Sequence, residues 1–188
     1  MYEAILGEQG QAAPEVSTDE MKAILSKGSA LVFDARPTNE YAIAHVPGSI
    51  NLDERQLGRF TQIYTDRTAA MLVYSNGPFC DLARARSEDL LRLGYSKVSR
   101  YQLGLPVWRI LGNTAETSLQ GFRQIFRAGD AVIVDARGRA EYAAGTVPTA
   151  QSILAGEASK AKQDRRLRYL DPNTRIVVFA NSALEARG

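Results

Sequence analysis

The sequence is poor in the residue types that most often announce a chemistry. Its 188 residues include one cysteine, Cys80, one histidine, His45, and one tryptophan, Trp108. A single cysteine excludes an internal disulfide. One thiol with one imidazole falls short of a protein-built zinc site, which takes about four such ligands. No metal and no cofactor is expected. No apolar run approaches the roughly 18 residues that a membrane-spanning helix needs. Charge is nearly balanced at a formal net of +2, so no strong field of one sign draws nucleic acid or an anionic surface. Met1 to Pro14 lacks a basic segment followed by an apolar one, so no secretory signal is visible. The reading is a cytoplasmic protein, or a periplasmic one if a leader has been removed. An apolar share of 45% with 23% charged residues is that of folded globular chains, and the length allows one large domain or two small ones.

The most informative stretch runs from Met71 to Leu91. Met71 to Tyr74 is a short apolar run, as a buried strand is, and Ser75-Asn76-Gly77-Pro78 then supplies turn chemistry. From Asp81 the apolar positions fall mainly on one helical face, and Gly94 is a C-terminal stop. A strand feeding a tight loop and then a helix points backbone N–H groups and the positive helix end into that loop, which favours anions. Cys80 lies where the loop becomes helix.

Along the rest of the chain, Met1 to Pro14 reads as a loose arm, and Ser17-Thr-Asp-Glu20 is a capping box opening a helix that Gly28 ends. Ala30 to Phe33 reads as a strand, Asn39 to His45 as a short helix, Ser49 to Leu52 as a short strand, and Lys97 to Tyr101 as another. The second half repeats the first. Ala30-Leu-Val-Phe-Asp-Ala-Arg36 aligns with Ala131-Val-Ile-Val-Asp-Ala-Arg137, Glu40-Tyr41-Ala42 with Glu141-Tyr142-Ala143, and Val46-Pro47 with Val147-Pro148, all at an offset of 101 residues. Ile176 to Phe179 stands where Leu72 to Tyr74 stood. A period this long means tandem domains rather than a solenoid. Alternating strands and helices imply mostly parallel sheets covered on both faces. The second copy stops at Gly188, inside the helix that should follow its central strand, so it is expected to be truncated at its C-terminus.

With both copies in view, the sequence resembles the rhodanese family of sulfurtransferase-like domains. The resemblance rests on Asp34, Arg36, Glu40, Tyr41, His45, Pro47, Gly48, Ser49, Asn51 and Leu52 in the first copy, with Leu93-Gly-Tyr95, Leu103-Gly104 and Trp108. The second copy keeps Asp135, Arg137, Glu141, Tyr142, Val147 and Pro148, but has Thr146 for His45 and Thr149 for Gly48. The resemblance implies an α/β fold of two tandem rhodanese-like domains: an arm over 1–14, a first domain over 15–113 and an incomplete second over 114–188.

Active members of that family carry a persulfide on a cysteine directly after the central strand, cradled by the amides of the next loop. Here that position is Ser75, and in the second copy Ala180. A serine hydroxyl holds no stable persulfide, and without a neighbouring base it is a poor nucleophile. Two readings stay open. In one, Cys80 is a displaced sulfur carrier and the loop Asn76, Gly77, Pro78 and Phe79 holds an anion through its amides; its partner is a small sulfur-containing anion or a sulfur-carrying protein. In the other, the module is catalytically inactive and binds an anion or a protein. Cys80 also packs as a small hydrophobe would.

The remaining features read as structural. Cys80 and Arg86 match the Cys-x5-Arg spacing of cysteine phosphatases, but the residues between read as helix with no glycine to let the backbone curl round an anion, leaving Arg84 and Arg86 as solvated helix arginines. Arg36 with Glu40, and Arg137 with Glu141, read as ion pairs fixing the loop after the first strand. His45 reads as a hydrogen-bonded packing residue and Trp108 as core. The basic run Lys160 to Arg168 reads as a solvated face, without the aromatic residues a nucleic-acid reader interleaves.

Overall fold

Strands and helices alternate along the chain, as the apolar periodicity requires. The computed structural model describes residues 10–167, 174–182 and 185–186. Two compact units divide it, one up to Phe122 and one from Arg123 on.

The first unit runs α1 (Thr18–Lys27), β1 (Leu31–Asp34), α2 (Thr38–Ile43), β2 (Ile50–Asn51), a 3-10 turn (Glu54–Gln56), α3 (Leu57–Ile63), β3 (Ala70–Tyr74), α4 (Leu82–Arg92), β4 (Lys97–Tyr101) and α5 (Gly104–Ile110). Its sheet has the order β2-β1-β3-β4, every pairing parallel. Alternation along the strands divides the core between the two faces. Phe33, Met71 and Val73 join Leu52, Phe60, Leu90 and Tyr95 in one cluster. Val32, Leu72 and Tyr74 join Met21, Tyr101, Leu105 and Trp108 in the other. That is why Met71 to Tyr74 is apolar without a break: β3 is central and covered twice. Trp108 is buried, and its Nε1 donates to the Thr114 carbonyl at 2.8 Å.

Local signals set the ends. Ser17 and Glu20 make the reciprocal bonds of a capping box at α1, which ends on left-handed Gly28. The short helix and strand anticipated over Asn39–His45 and Ser49–Leu52 are α2 and the two-residue β2. The arm is a correction. Residues 1–9 lie outside the described residues, but the arm is not loose as far as Pro14. Ala13 is buried in the core, Arg100 N donates to the Pro14 carbonyl, and Val16 N donates to the Arg100 carbonyl. The arm thus adds a parallel bridge to β4, with Glu15 accepting from the buried Arg100 guanidinium at 2.8 Å. Sequence pattern misses it because an edge pairing leaves few side chains inside.

The segment after α5 is also tied down. His45 and Glu116 exchange backbone hydrogen bonds, and the Ala42 carbonyl accepts from Ser118 N and from the Thr117 and Ser118 hydroxyls. α6 (Leu119–Ala128) follows.

The second unit has β5 (Ala131–Asp135), α7 (Arg139–Ala144), β6 (Gln151–Ser152), α8 (Ala158–Gln163) and β7 (Arg175–Phe179), its sheet ordered β6-β5-β7 and again parallel. Its core centres on Val134, Ile153 and Ala161. On β7, Ile176 and Val178 are 48% and 40% exposed. The helix anticipated after β7 lies mostly outside the described residues. Lys160, Lys162 and Arg165 are exposed as anticipated, but Arg166 is tied to Asp164 and Glu157; Arg168 lies outside the described residues. Among the described residues, no helix is long and apolar enough to cross a membrane.

Candidate functional site

The site of the first unit gathers where β1 and β3 end side by side. The parallel register sets Asp34 beside Tyr74, so the loops that follow both strands leave the sheet together. Asp34 is fully buried and accepts from the Arg36 amide at 3.0 Å and from Arg36 Nε and Nη2 at 2.9 and 2.5 Å. Arg36 Nη2 also donates to the Ala44 carbonyl at 2.6 Å. Burial works against the Arg36 charge, but the bonds and charge of Asp34 outweigh it and raise the guanidinium pKa further.

Beneath the loop lies Tyr74. Its hydroxyl accepts from Val46 N and shares a hydrogen bond with Ser49 Oγ, each at 2.9 Å. Burial, then the Asp34 charge, pushes the phenol far above its ordinary range, so it stays protonated. His45 is buried and stacked on Tyr41 with ring centroids 3.9 Å apart. Its Nδ1 lies 2.8 Å from the Tyr41 carbonyl, which can only accept, so Nδ1 carries the proton. Its Nε2 stands 3.9 Å from Glu116. The imidazole is a packing group held by its Nδ1 bond and its stack on Tyr41.

Ser75, expected from the resemblance at the nucleophile position, is 1% exposed. Its carbonyl accepts from Leu105 N at 2.9 Å and its hydroxyl donates to the Cys80 carbonyl at 3.4 Å. A hydroxyl so placed faces an acceptor that takes no proton, so it is not activated. Gly77-Pro78-Phe79-Cys80 is a turn closed by Cys80 N donating to the Gly77 carbonyl at 3.0 Å. Two glycines allow this loop its path. Gly77 has φ +108°, and Gly104 has φ +69° at the start of α5, where a Cβ would stand 2.5 Å from the Ser75 carbonyl oxygen. Cys80 itself is half-buried, two residues ahead of α4, and Phe79 beside it is fully exposed. Among the described residues, the amides of Asn76, Gly77 and Phe79 have no acceptor. Three unclaimed N–H groups ahead of a helix N-terminus attract negative charge. Also among the described residues, no group of three or more His, Cys, Asp and Glu stands together to hold a metal.

The structure thus gathers Asp34, Arg36, Glu40, His45, Ser75, Asn76 and Cys80 around one strand end. In the second unit, Asp135 accepts from Arg137 N, Nε and Nη2 at 3.0, 3.0 and 2.7 Å. One of the two anticipated pairings stands and one needs correction. Arg36 lies 3.9 Å from Glu40, but its main partner is Asp34. Among the described residues, Arg137 is paired with Asp135 and not Glu141, which caps α7 through Gly138 N and accepts from Asn181 Nδ2 at 2.8 Å. Two residues on, in an Asp-x-Arg turn, is closer than four. A second correction is Arg86, read as solvated: it is 9% exposed and ion-paired with Asp89 at 2.9 Å. Arg84 is exposed as read. Sequence reasoning missed the side-chain role of Asn76, the phenol of Tyr74 and the close approach at Gly104. The only signal available for Asn76 was its recurrence as Asn181, directly after the nucleophile position of the second copy.

Comparison with known proteins agrees with this architecture. A family model described as Rhodanese-like domain matches residues 17–111 and again 118–187. The HTH-type transcriptional regulator Rv0324 of Mycobacterium tuberculosis is 27% identical over 107 residues, which is 55% of this chain and 45% of the regulator. Among solved structures, BH2092 protein from Bacillus halodurans matches with a TM-score of 0.51 at 20% identity, over 63% of this chain and 85% of that one. The thiosulfate sulfurtransferase of Pseudomonas aeruginosa matches with a TM-score of 0.47 at 20% identity, over 93% of this chain and 39% of that one. The chain therefore spans less than half the length of that regulator and of that sulfurtransferase.

Proposed function

The chain belongs to the rhodanese-like domain family, carrying the domain twice, and on that premise we propose that its first unit carries sulfur as a persulfide on Cys80. The observation that carries this reading is the place of the chain's only thiol. Cys80 is half-buried at the rim of a loop with three unclaimed amides, while the position expected for the nucleophile holds Ser75, whose hydroxyl donates to the Cys80 carbonyl. The step balances with thiosulfate as donor. The Cys80 thiolate attacks the outer sulfur, the S–S bond of thiosulfate breaks, and sulfite leaves with the electron pair. The new persulfide is anionic, and the loop amides meet its charge. An acceptor nucleophile such as cyanide then takes the terminal sulfur and restores the thiolate. The partner class is a small sulfur-containing anion or a sulfur-carrying protein.

A second reading has one observation in its favour. Neither nucleophile position is a cysteine, yet both units keep the Asp–Arg bonds that shape the loop after the first strand. That pattern fits a catalytically inactive module that binds an anion or a protein.

Incubation of the purified chain with thiosulfate, followed by intact mass without reductant, separates the two. A gain of one sulfur atom, reversed by cyanide and absent in Cys80→Ser, supports the carrier. No gain, with Cys80 alkylated readily by iodoacetamide, rejects carriage from this donor and favours the binding module.

A further inference from the structure

The loop between β3 and α4 is fastened at its first residue. Asn76 Nδ2 donates to Glu40 Oε2 at 2.7 Å, and Arg36 Nη1 reaches Asn76 Oδ1 at 3.5 Å. Arg36 cannot follow the loop if it moves, because it is buried and held by Asp34 and the Ala44 carbonyl. Asn76 is itself exposed, and an exposed asparagine bonded across 36 residues loses side-chain freedom for little burial. The same contact recurs in the second unit, where Asn181 Nδ2 donates to Glu141 Oε1 at 2.8 Å. The residue before it differs between the copies, Ser75 against Ala180, while the asparagine stays. What both copies retain is therefore a loop-shaping contact rather than a nucleophile.

The geometry points to Asn76 as a positioning residue: its bond to Glu40, backed by Arg36, holds the loop so that the unclaimed amides of Asn76, Gly77 and Phe79 present positive charge beside Cys80. This rests on the reading of the loop as an anion cradle, and it identifies which side chain keeps the cradle formed. Asn76 touches no reacting atom. It acts through the backbone it fixes.

Two alkylating reagents of similar size read the cradle without any sulfur transfer. Iodoacetate is anionic and iodoacetamide neutral, and both modify only Cys80. The ratio of their rates cancels changes in thiol exposure and thiolate fraction, leaving the local charge that the reagent meets. In Asn76→Ala the ratio is expected to fall about threefold, the size of one lost helix-end or amide contact with an anion. The melting temperature is expected to stay within a few degrees. The double variant Asn76→Asp with Glu40→Gln reverses donor and acceptor across the same gap, and the ratio should recover. An unchanged ratio in Asn76→Ala, or a fall that the double variant does not restore, overturns the assignment. If the ratio responds but thiosulfate leaves no sulfur on Cys80, the positioning role stands and sulfur carriage does not. If sulfur is carried and the ratio is unmoved, the reverse holds.

Discussion

The ends of β1 and β5 are built from the same bonds, and their differences separate what a short motif fixes by itself from what its surroundings supply. In each, an aspartate takes the following arginine, the arginine reaches a carbonyl eight residues on (Ala44 or Gly145), and a tyrosine bonds a later carbonyl (Ser49 or Ala150). The divergence lies in what covers them. Arg36 has a side chain 5% exposed, against 21% for Arg137. Tyr74 contributes a phenol bonded to Val46 N and Ser49, whereas Phe179 has no hydroxyl. Thr146 Oγ1 instead donates to Asp135 at 2.7 Å. β3 is buried from Met71 to Tyr74, while β7 alternates between half-buried and exposed. A local motif therefore folds the same way in both settings, and burial sets what each bond is worth.

The largest expected effect tests that last statement. Removing Asp34 strands a buried guanidinium, which typically costs about 3–5 kcal/mol. Asp34→Ala should therefore unfold the first unit at markedly lower urea. Asp135→Ala should cost about half as much, because Arg137 can rehydrate. Equal losses in the two variants would contradict the claim that burial sets the value of the bond.

Acid offers a smaller effect. Hydrogen bonds from Arg137, outweighing the cost of burial, hold the Asp135 carboxyl at about 2, against an ordinary 3.8. A carboxyl with a lowered folded pKa stabilises the unit fully above pH 4, and that contribution is lost as pH falls from about 4 to about 2. Its size is about 1–2 kcal/mol. Hydrogen exchange of β5 and β7 amides should accelerate across that window, and Asp135→Asn should flatten the dependence.

The smallest effect concerns one turn. Gly48 and Thr149 occupy matching places after Val-Pro, and both have positive φ, +76° and +69°. A threonine there is strained, because a β-branched side chain is disfavoured in the left-handed region. Gly48→Thr should cost about 1 kcal/mol, and Thr149→Gly should add a similar amount to the second unit. No Cβ clash is present at Gly48, so the cost is conformational alone. Calorimetry of the exchanged pair measures both signs.

Much of this was legible in the residues. The repeat, the alternating strands and helices, the cap at Ser17 and the stop at Gly94 all lie in short patterns, because they depend on neighbours a few residues apart. The bond from Asn76 to Glu40 was not legible, since it spans 36 residues and exists only when parallel β1 and β3 end together. Arg86 looked like any helix arginine until the packing of α4 buried it. The arm looked loose until the edge of β4 paired with it. By itself the sequence determined the family, the two copies of the α/β unit and the position of the chain's one thiol. Only the tertiary structure decided which charges are buried, how the loop beside Cys80 is fastened and how thoroughly each sheet is covered, because burial depends on what the distant chain brings into contact.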